Sequence, residues 1–114
     1  MKTRSILTVF AASLMLFACK SNKNENMSTL SLTQEWDKTF PKSELVSHSK
    51  VTFHNRYGIE LAADMYVPKN ADGKLPAIAV SGPFGAVKEQ SSGLYAQHMA
   101  ERGFVTVAFA PSFT

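Results

Sequence analysis

The stretch LPAIAVSGPFGAVKEQSSGLYAQHMAERGFVTVAFA, residues 75–110, carries the pattern that decides the fold. Residues 75–81 and 104–110 are nearly continuous apolar runs, which are typical of strands buried on both faces in a parallel sheet. Residues 91–102 between them have the spacing of an amphipathic helix, which Gly103 ends. A strand, a helix and a strand over this length predict a right-handed crossover unit.

The helical spacing also predicts which side of this helix is buried. The predicted core face contains Tyr95, Ala96, Met99 and Ala100. The predicted solvent face contains Gln97, His98 and Glu101.

An antiparallel hairpin is predicted before the crossover. Residues 50–54 and 59–67 alternate between apolar and polar residues on either side of the turn residues 55–58, and Pro68 ends the second strand. On that strand Ile59, Leu61, Ala63, Met65 and Val67 share the apolar face. We expect solvent on the other face, which contains Glu60, Ala62, Asp64 and Tyr66.

The loop at residues 81–90 contains Gly82, Pro83 and Gly85 after a predicted buried strand, where ligands bind in open α/β sheets. The loop, with Lys88-Glu89-Gln90 at its end, and residues 100–104 resemble the α/β-hydrolase family. The resemblance is strongest to its dienelactone-hydrolase-like and peptidase-like bacterial members, and covers residues 50–114. It implies an α/β class and an incomplete α/β-hydrolase fold: an antiparallel N-terminal hairpin followed by a β-α-β crossover, with the fourth strand between the second and third.

The same resemblance implies a role for this loop in acyl transfer. The backbone N–H of Phe84 would donate to the oxyanion of an acyl intermediate, and Gly85 would let the backbone approach closely. The alternative is that the glycines and Pro83 only turn the chain.

No catalytic triad is found in the 114 residues. A hydrolase of this family needs a Ser or Cys on a strand–turn–helix elbow, then an acid, then a late histidine. No Gly-x-Ser-x-Gly motif or cysteine version of it is present, and His48, His54 and His98 come too early. We therefore predict no catalytic residue in this chain, three surface histidines, and no cofactor or metal. The single cysteine, Cys19, excludes an internal disulfide and a multi-cysteine metal site.

The N-terminus has the layout of a secretory signal peptide: basic residues, then an apolar run at 6–18 that is too short to span a bilayer. Ala18-Cys19 at its end resembles the lipobox of bacterial lipoproteins, which implies a lipid on Cys19. We expect a lipoprotein signal peptide at residues 1–18 and a membrane-anchored protein of the bacterial cell envelope, facing the periplasm or the cell surface. An ordinary cleaved signal with an incidental cysteine and a buried N-terminal helix are the alternatives.

The polar residues that follow predict a flexible tether at 19–31, because they cannot bury enough apolar area to fold. Residues 32–49 form a predicted lead-in segment, in which Trp36 and Phe40 have the spacing of a short helical turn. The N-terminal part of the hydrolase-like domain is expected at residues 50–114.

The leading hypothesis is the N-terminal fragment of an exported lipoprotein hydrolase that cleaves ester or acyl substrates in the complete parent and is inactive alone. We expect truncation because the sequence ends just past the fourth strand, which would leave the third strand without a further neighbour. The alternatives are a small non-catalytic lipid-anchored binding or interaction module and a degenerate product without a role. Without Lys2 and Arg4 the net charge is about +1, and no basic stripe suggests nucleic acid.

Overall fold

The computed structural model describes residues 30–112, so the predicted signal peptide, Cys19 and most of the predicted tether lie outside the described residues. Four strands and one helix follow in chain order, and a lead-in segment at residues 30–45 precedes them. These elements are β1 (Val46–His54), β2 (Glu60–Pro68), β3 (Ala77–Val80), α1 (Ser91–Glu101) and β4 (Val105–Phe109).

The strands form one mixed sheet in the order β1-β2-β4-β3. The β1–β2 and β2–β4 pairs are antiparallel, and β3 is parallel to β4. The predicted hairpin, the β-α-β unit and the position of the fourth strand between the second and third are all confirmed. Strand β1 begins at Val46, within the segment predicted to be lead-in, and residues 30–45 form no helical turn.

Helix α1 packs on the sheet face that was predicted to be solvated, so that prediction is wrong. Cross-strand partners share a face, which places Asp64 and Tyr66 of β2 with Thr106 and Ala108 of β4. Tyr66 and Ala108 are fully buried against Ala96 and Ala100 of α1, and Thr106 Oγ1 donates a hydrogen bond to the Ala96 carbonyl at 2.8 Å.

The opposite sheet face is apolar and only partly covered in the described part of the chain. Phe53 and Phe109 meet edge to face on it with ring centroids 6.0 Å apart, yet Phe53 remains 38% exposed. Strand β3 has exposed residues at Ala77 and Ala79 on this side. The prediction that β3 is buried on both faces is therefore wrong for residues 30–112, because α1 covers only one face.

The predicted faces of α1 were also partly wrong. Ala96 and Ala100 are buried as expected, but Tyr95 is 55% exposed and Gln97 only 4% exposed. The lead-in segment crosses the helix beside Gln97, whose Nε2 donates to the Pro41 carbonyl at 3.0 Å while its Oε1 accepts from the Ser43 amide at 3.1 Å. A buried amide that is satisfied in this way behaves as a core residue.

Candidate functional site

The loop at residues 81–90 begins at the carboxyl end of β3 and leads into α1. Its tip is a tight turn in which the Ala86 amide donates to the Pro83 carbonyl at 3.0 Å. Gly85 occupies the third position with φ 78°, the left-handed conformation that a type II turn requires there. Phe84, at the second position, is 94% exposed. The turn therefore leaves Phe84 in solvent.

The amides of Phe84 and Gly85 donate to no acceptor within residues 30–112. Free N–H groups on a tight turn are what stabilisation of an oxyanion would need. The sequence prediction for Phe84 and Gly85 stays a prediction, since free amides alone do not show what they bind.

Two glycines let the loop pack closely on its surroundings. A Cβ added at Gly82 would lie 2.8 Å from Ala86 Cβ, which is too close for an unshifted backbone. A Cβ added at Gly93, in the first turn of α1, would clash with the Lys88 carbonyl oxygen. The loop is therefore folded back on itself and pressed against the helix that follows it.

A buried group of charges lies beneath this loop. Asp64 on β2 is fully buried, and its Oδ1 lies 2.7 Å from His48 Nε2 and 3.0 Å from Lys38 Nζ. Its Oδ2 lies 3.2 Å from the ammonium of Lys88 in the loop. We call Asp64, Lys38, His48 and Lys88 the Asp64 cluster. It joins β1, β2, the lead-in segment and the loop at a single carboxylate.

Three further charges surround the cluster. Asp37 forms ion pairs with both Lys38 and Lys50, and Glu89 forms an ion pair with Lys88. The side chain of Lys38 is fully buried and that of Lys50 is 5% exposed. The three lysines face three carboxylates, so each buried ammonium has a partner of opposite charge.

The pKa of Asp64 reflects these contacts. Burial by itself would raise it, but the hydrogen bonds from His48 and Lys38 and the charge of Lys88 outweigh burial, so the pKa lies below its ordinary value. Burial would likewise lower the pKa of Lys88, but the hydrogen bond to Glu89 and the charge of Asp64 raise it above its ordinary value. Both groups are therefore charged at neutral pH.

Tyr66 lies beside the cluster on the same strand. Its ring is tilted against that of His48 with centroids 5.1 Å apart, and its buried hydroxyl has no hydrogen-bond partner in residues 30–112. Burial, and then the negative charge of Asp64, raise the pKa of Tyr66 above its ordinary value. The phenol is therefore neutral throughout the physiological range.

The lead-in segment holds the loop from its other side. The Thr39 amide donates to the Glu89 carbonyl at 3.1 Å, and the buried ring of Phe40 packs beside Gly93. Trp36 Nε1 donates to the Phe40 carbonyl at 2.8 Å, and the two rings meet edge to face. Trp36 thus packs on the core of the domain, although the segment is not helical.

The histidine predictions are correct for two residues and wrong for the third. His54 and His98 are exposed, and His98 pairs with Glu101 on the helix surface. The side chain of His48 is only 10% exposed, because Asp64, Trp36 and Tyr66 contact it. In the described residues the side-chain partners of His48 and His98 are the carboxylates of Asp64 and Glu101.

The sequence reasoning missed the Asp64 cluster altogether. The signal in the sequence was Asp64 itself, an acidic residue in the middle of a strand that has Tyr66 on the same face. Alternation alone assigned that residue to solvent, and nothing local linked it to Lys38 or Lys88, which are 26 and 24 positions away.

Other kinds of site are not seen in the described range. Residues 30–112 enclose no ligand-sized cavity and bring together no group of side chains that could hold a metal ion. The only helix among them, α1, is too short to cross a bilayer. The lipid attachment predicted at Cys19 lies outside these residues.

No family model matches this chain, but the chain is similar to two curated proteins. It is 70% identical over 95 residues to an uncharacterized Pseudomonas aeruginosa protein, PA2218, covering 82% of this chain and 26% of that protein. It is 43% identical over 70 residues to the uncharacterized Escherichia coli protein YcjY, covering 58% of this chain and 23% of that one. The chain thus spans about a quarter of the length of these relatives.

Two solved structures resemble the fold. The crystal structure of PA2218 matches with a TM-score of 0.73 at 73% identity, over 77% of this chain and 28% of that one. Brefeldin A esterase, a bacterial homologue of human hormone-sensitive lipase, matches with a TM-score of 0.51 at 16% identity, over 77% of this chain and 25% of the esterase. This distant neighbour is an α/β-hydrolase. At that identity the likeness concerns the fold alone.

Proposed function

We propose that this chain is the N-terminal part of an exported, lipid-anchored α/β-hydrolase that cleaves ester or related acyl substrates. In this proposal the chain supplies the oxyanion loop, while the nucleophile, acid and histidine belong to the remainder of a longer protein. The observation that carries it is the pair of free amides at Phe84 and Gly85, on a turn at the carboxyl end of β3. The likeness to an esterase fold and the greater length of the relatives support it.

The role proposed for the loop is to stabilise negative charge on the substrate's carbonyl oxygen. When a nucleophile adds to an ester carbonyl, negative charge develops on the carbonyl oxygen, and fixed N–H donors stabilise that charge more than they stabilise the substrate. One such donor contributes about 3 kcal/mol, or a factor of 10²–10³ in kcat. Residues 30–112 alone would not turn over ester.

The export part of the proposal rests on the sequence alone. A basic start, the apolar run at 6–18 and Ala18-Cys19 support signal cleavage before Cys19 and acylation of its thiol and amine. Several acyl chains would give stable anchoring, at about 0.8 kcal/mol per buried methylene. The polar residues that follow would then hold the domain away from the bilayer.

The decisive experiment reads the coding DNA through and beyond the codon for Thr114 and expresses the complete product. We expect a Gly-x-Ser-x-Gly elbow, or its cysteine version, followed by an acid and a late histidine, together with hydrolysis of aryl esters. A stop codon directly after Thr114 would reduce the hydrolase proposal to ancestry. It would leave a non-catalytic lipid-anchored module as the better account.

The donor itself is tested by two substitutions at one position. Phe84→Pro removes the N–H, and proline suits the second position of this turn, whereas Phe84→Ala removes only the ring. We expect kcat of the proline variant to be about 10²-fold below that of the alanine variant. Equal rates for the two variants would reject the Phe84 N–H as an oxyanion donor.

A further inference from the structure

We propose that Lys88 is a positioning residue, whose ion pair with Asp64 fixes the geometry of the oxyanion turn at Pro83–Ala86. The inference rests on the proposed function and deepens it, because it assigns a role to a lysine that would touch neither substrate nor nucleophile. It also gives the Asp64 cluster a purpose beyond holding the sheet together.

Few contacts hold the turn itself. Within residues 30–112, the Ala86 amide bonds back to Pro83 and Ser92 Oγ reaches the Val87 carbonyl at a long 3.4 Å. Gly82 packs on Ala86, and the Gln90 amide donates to the Val87 carbonyl at 3.3 Å. Beyond these, the contacts lie at the two ends of the loop, where β3 finishes and where Lys88 and Glu89 begin. The position of Phe84 and Gly85 is therefore set by what fixes those ends.

Lys88 is held at both its main chain and its side chain. Its carbonyl oxygen packs against Gly93 so closely that no Cβ fits there, and its ammonium lies 3.2 Å from Asp64 Oδ2. The side chain is 8% exposed. Few arrangements of residues 86–88 satisfy both contacts, so the loop end has a defined position relative to β2.

The Asp64 carboxylate, to which Lys88 is anchored, lies near the start of the loop. Asp64 is paired across the sheet with Ala108, and Ala108 is paired with Val80, the last residue of β3. The carboxylate thus lies two strands from the start of the loop on the same face of the sheet. The ion pair of Lys88 therefore holds the second end of the loop near Asp64 and Val80, the residue after which the loop begins.

The loop is anchored by the charges of Lys88 and Asp64 rather than by apolar side chains. Burying a lysine and an aspartate costs solvation that their attraction only roughly repays, and apolar side chains of similar volume would serve stability equally well. An ion pair keeps the loop end beside one particular carboxylate, although Asp64 Oδ2 accepts no hydrogen bond within residues 30–112. Lys38, from the lead-in segment, shares the same carboxylate and thereby fixes the anchor from a third element.

The test uses the full chain, isotopically labelled, and measures amide hydrogen exchange and chemical shifts by NMR. Lys88→Met keeps most of the side-chain length and removes the charge. We expect the Ala86 amide to exchange at least ten-fold faster and the Phe84 and Gly85 resonances to move. Amides of β2 and β4 should accelerate by a smaller factor. The matched control is Lys69→Met, which removes a lysine that is 45% exposed and 4.0 Å from Glu44.

Asp64→Asn removes the other partner of the pair and should give the same pattern in the loop. Equal acceleration of loop and sheet amides would assign the pair a purely structural role and overturn the proposal, as would no change in the loop. Failure of both variants to fold would also overturn it, because the cluster would then hold the whole fold rather than the loop.

These outcomes are separable from those for the proposed function. If Lys88→Met loosens the turn but the complete protein hydrolyses no ester, the positioning role stands without the oxyanion role. If hydrolysis depends on the Phe84 N–H but Lys88→Met leaves the turn unchanged, the function stands and the anchor is rejected. If both hold, Lys88→Met in the complete protein should lower kcat more than it raises KM.

Discussion

The ammonium of Lys88 lies 3.2 Å from Oδ2 of Asp64, a carboxylate that is fully buried at the middle of the sheet. This contact joins the loop after β3 to the central strand β2. Lys38 and His48 share the other oxygen of the same carboxylate. One side chain therefore links the lead-in segment, β1, β2 and the loop.

Stability should fall in acid through Asp64. Its pKa is lower in the folded protein than the ordinary value of 3.8, so its stabilising contribution is complete above that value and is lost as the pH falls through the folded pKa. We expect the free energy of unfolding of the wild type to decline from about pH 5 downward. Asp64→Asn should be less stable at neutral pH and decline less steeply. Urea titrations at several pH values measure both effects.

The control for that titration is Asp72→Asn, which removes an exposed carboxylate outside the cluster. It should keep the wild-type dependence on pH. Some acid sensitivity should remain in Asp64→Asn, because the pKa of Asp37 is also held below its ordinary value: burial would raise it, but the hydrogen bonds from Lys38 and Lys50 prevail. Parallel curves for Asp64→Asn and the wild type would contradict the assignment.

Gly93→Ala should be strongly destabilising, although alanine normally favours a helix. The added methyl group would clash with the Lys88 carbonyl oxygen and would touch the Phe40 ring at 3.2 Å, and a backbone atom cannot move aside cheaply. We expect a loss of about 2 kcal/mol or more, as for other overpacked sites. Ser91→Ala, two residues earlier and exposed, should stay within about 0.5 kcal/mol. Thermal unfolding of both variants measures these losses of stability.

Gln97 should prove as important to stability as an apolar core residue. Gln97→Leu keeps the volume but leaves the Ser43 amide and the Pro41 carbonyl without their partner. We expect a loss of about 2 kcal/mol, since each buried group that loses its hydrogen bond costs about 1 kcal/mol or more. Tyr95→Ala, on the exposed side of the same helix, should cost much less. Comparable losses for the two variants would show that the lead-in segment is not fixed by Gln97.

Cys19 is expected to carry the lipid in cells that process bacterial lipoproteins. The wild type should partition into detergent and gain the mass of acyl chains on a fragment beginning at Cys19. Cys19→Ser should remain unprocessed, because the thiol is the site of the first acylation. Processing of Cys19→Ser as in the wild type would reject lipidation and leave an ordinary cleaved signal. Cys19→Ala serves as a second variant without a hydroxyl.

Much of the fold could be predicted from local pattern. Alternation around residues 55–58 predicted the hairpin, and the apolar runs on either side of a helical spacing predicted β3, α1 and β4, each within a few residues of its observed bounds. Strand order followed from the family resemblance and was correct. These features depend on the period of side chains along the chain, which a single sequence displays directly.

Burial was predicted less well, and the errors share a cause. Asp64 and Gln97 were assigned to solvent by the strand and helix periods, and His48 was expected at the surface, yet the tertiary structure buries all three side chains. A polar side chain can be buried when hydrogen-bond or ion-pair partners satisfy it. Those partners come from other segments of the chain, and the local sequence pattern does not indicate where these segments pack. Tyr95 was misplaced for the complementary reason, since the side of α1 that faces the sheet depends on where the lead-in segment packs.

The sequence by itself determined the kinds of element, their order and the turn chemistry of the loop, because helix and strand periods and glycine conformations are local properties of the chain. Only the tertiary structure decided that the polar face of β2 lies beneath the helix and that Lys38 and Lys88 converge on Asp64. That convergence required the lead-in segment, β2 and the loop to meet, and the energy of a buried charge depends on every group that surrounds it rather than on its neighbours in sequence.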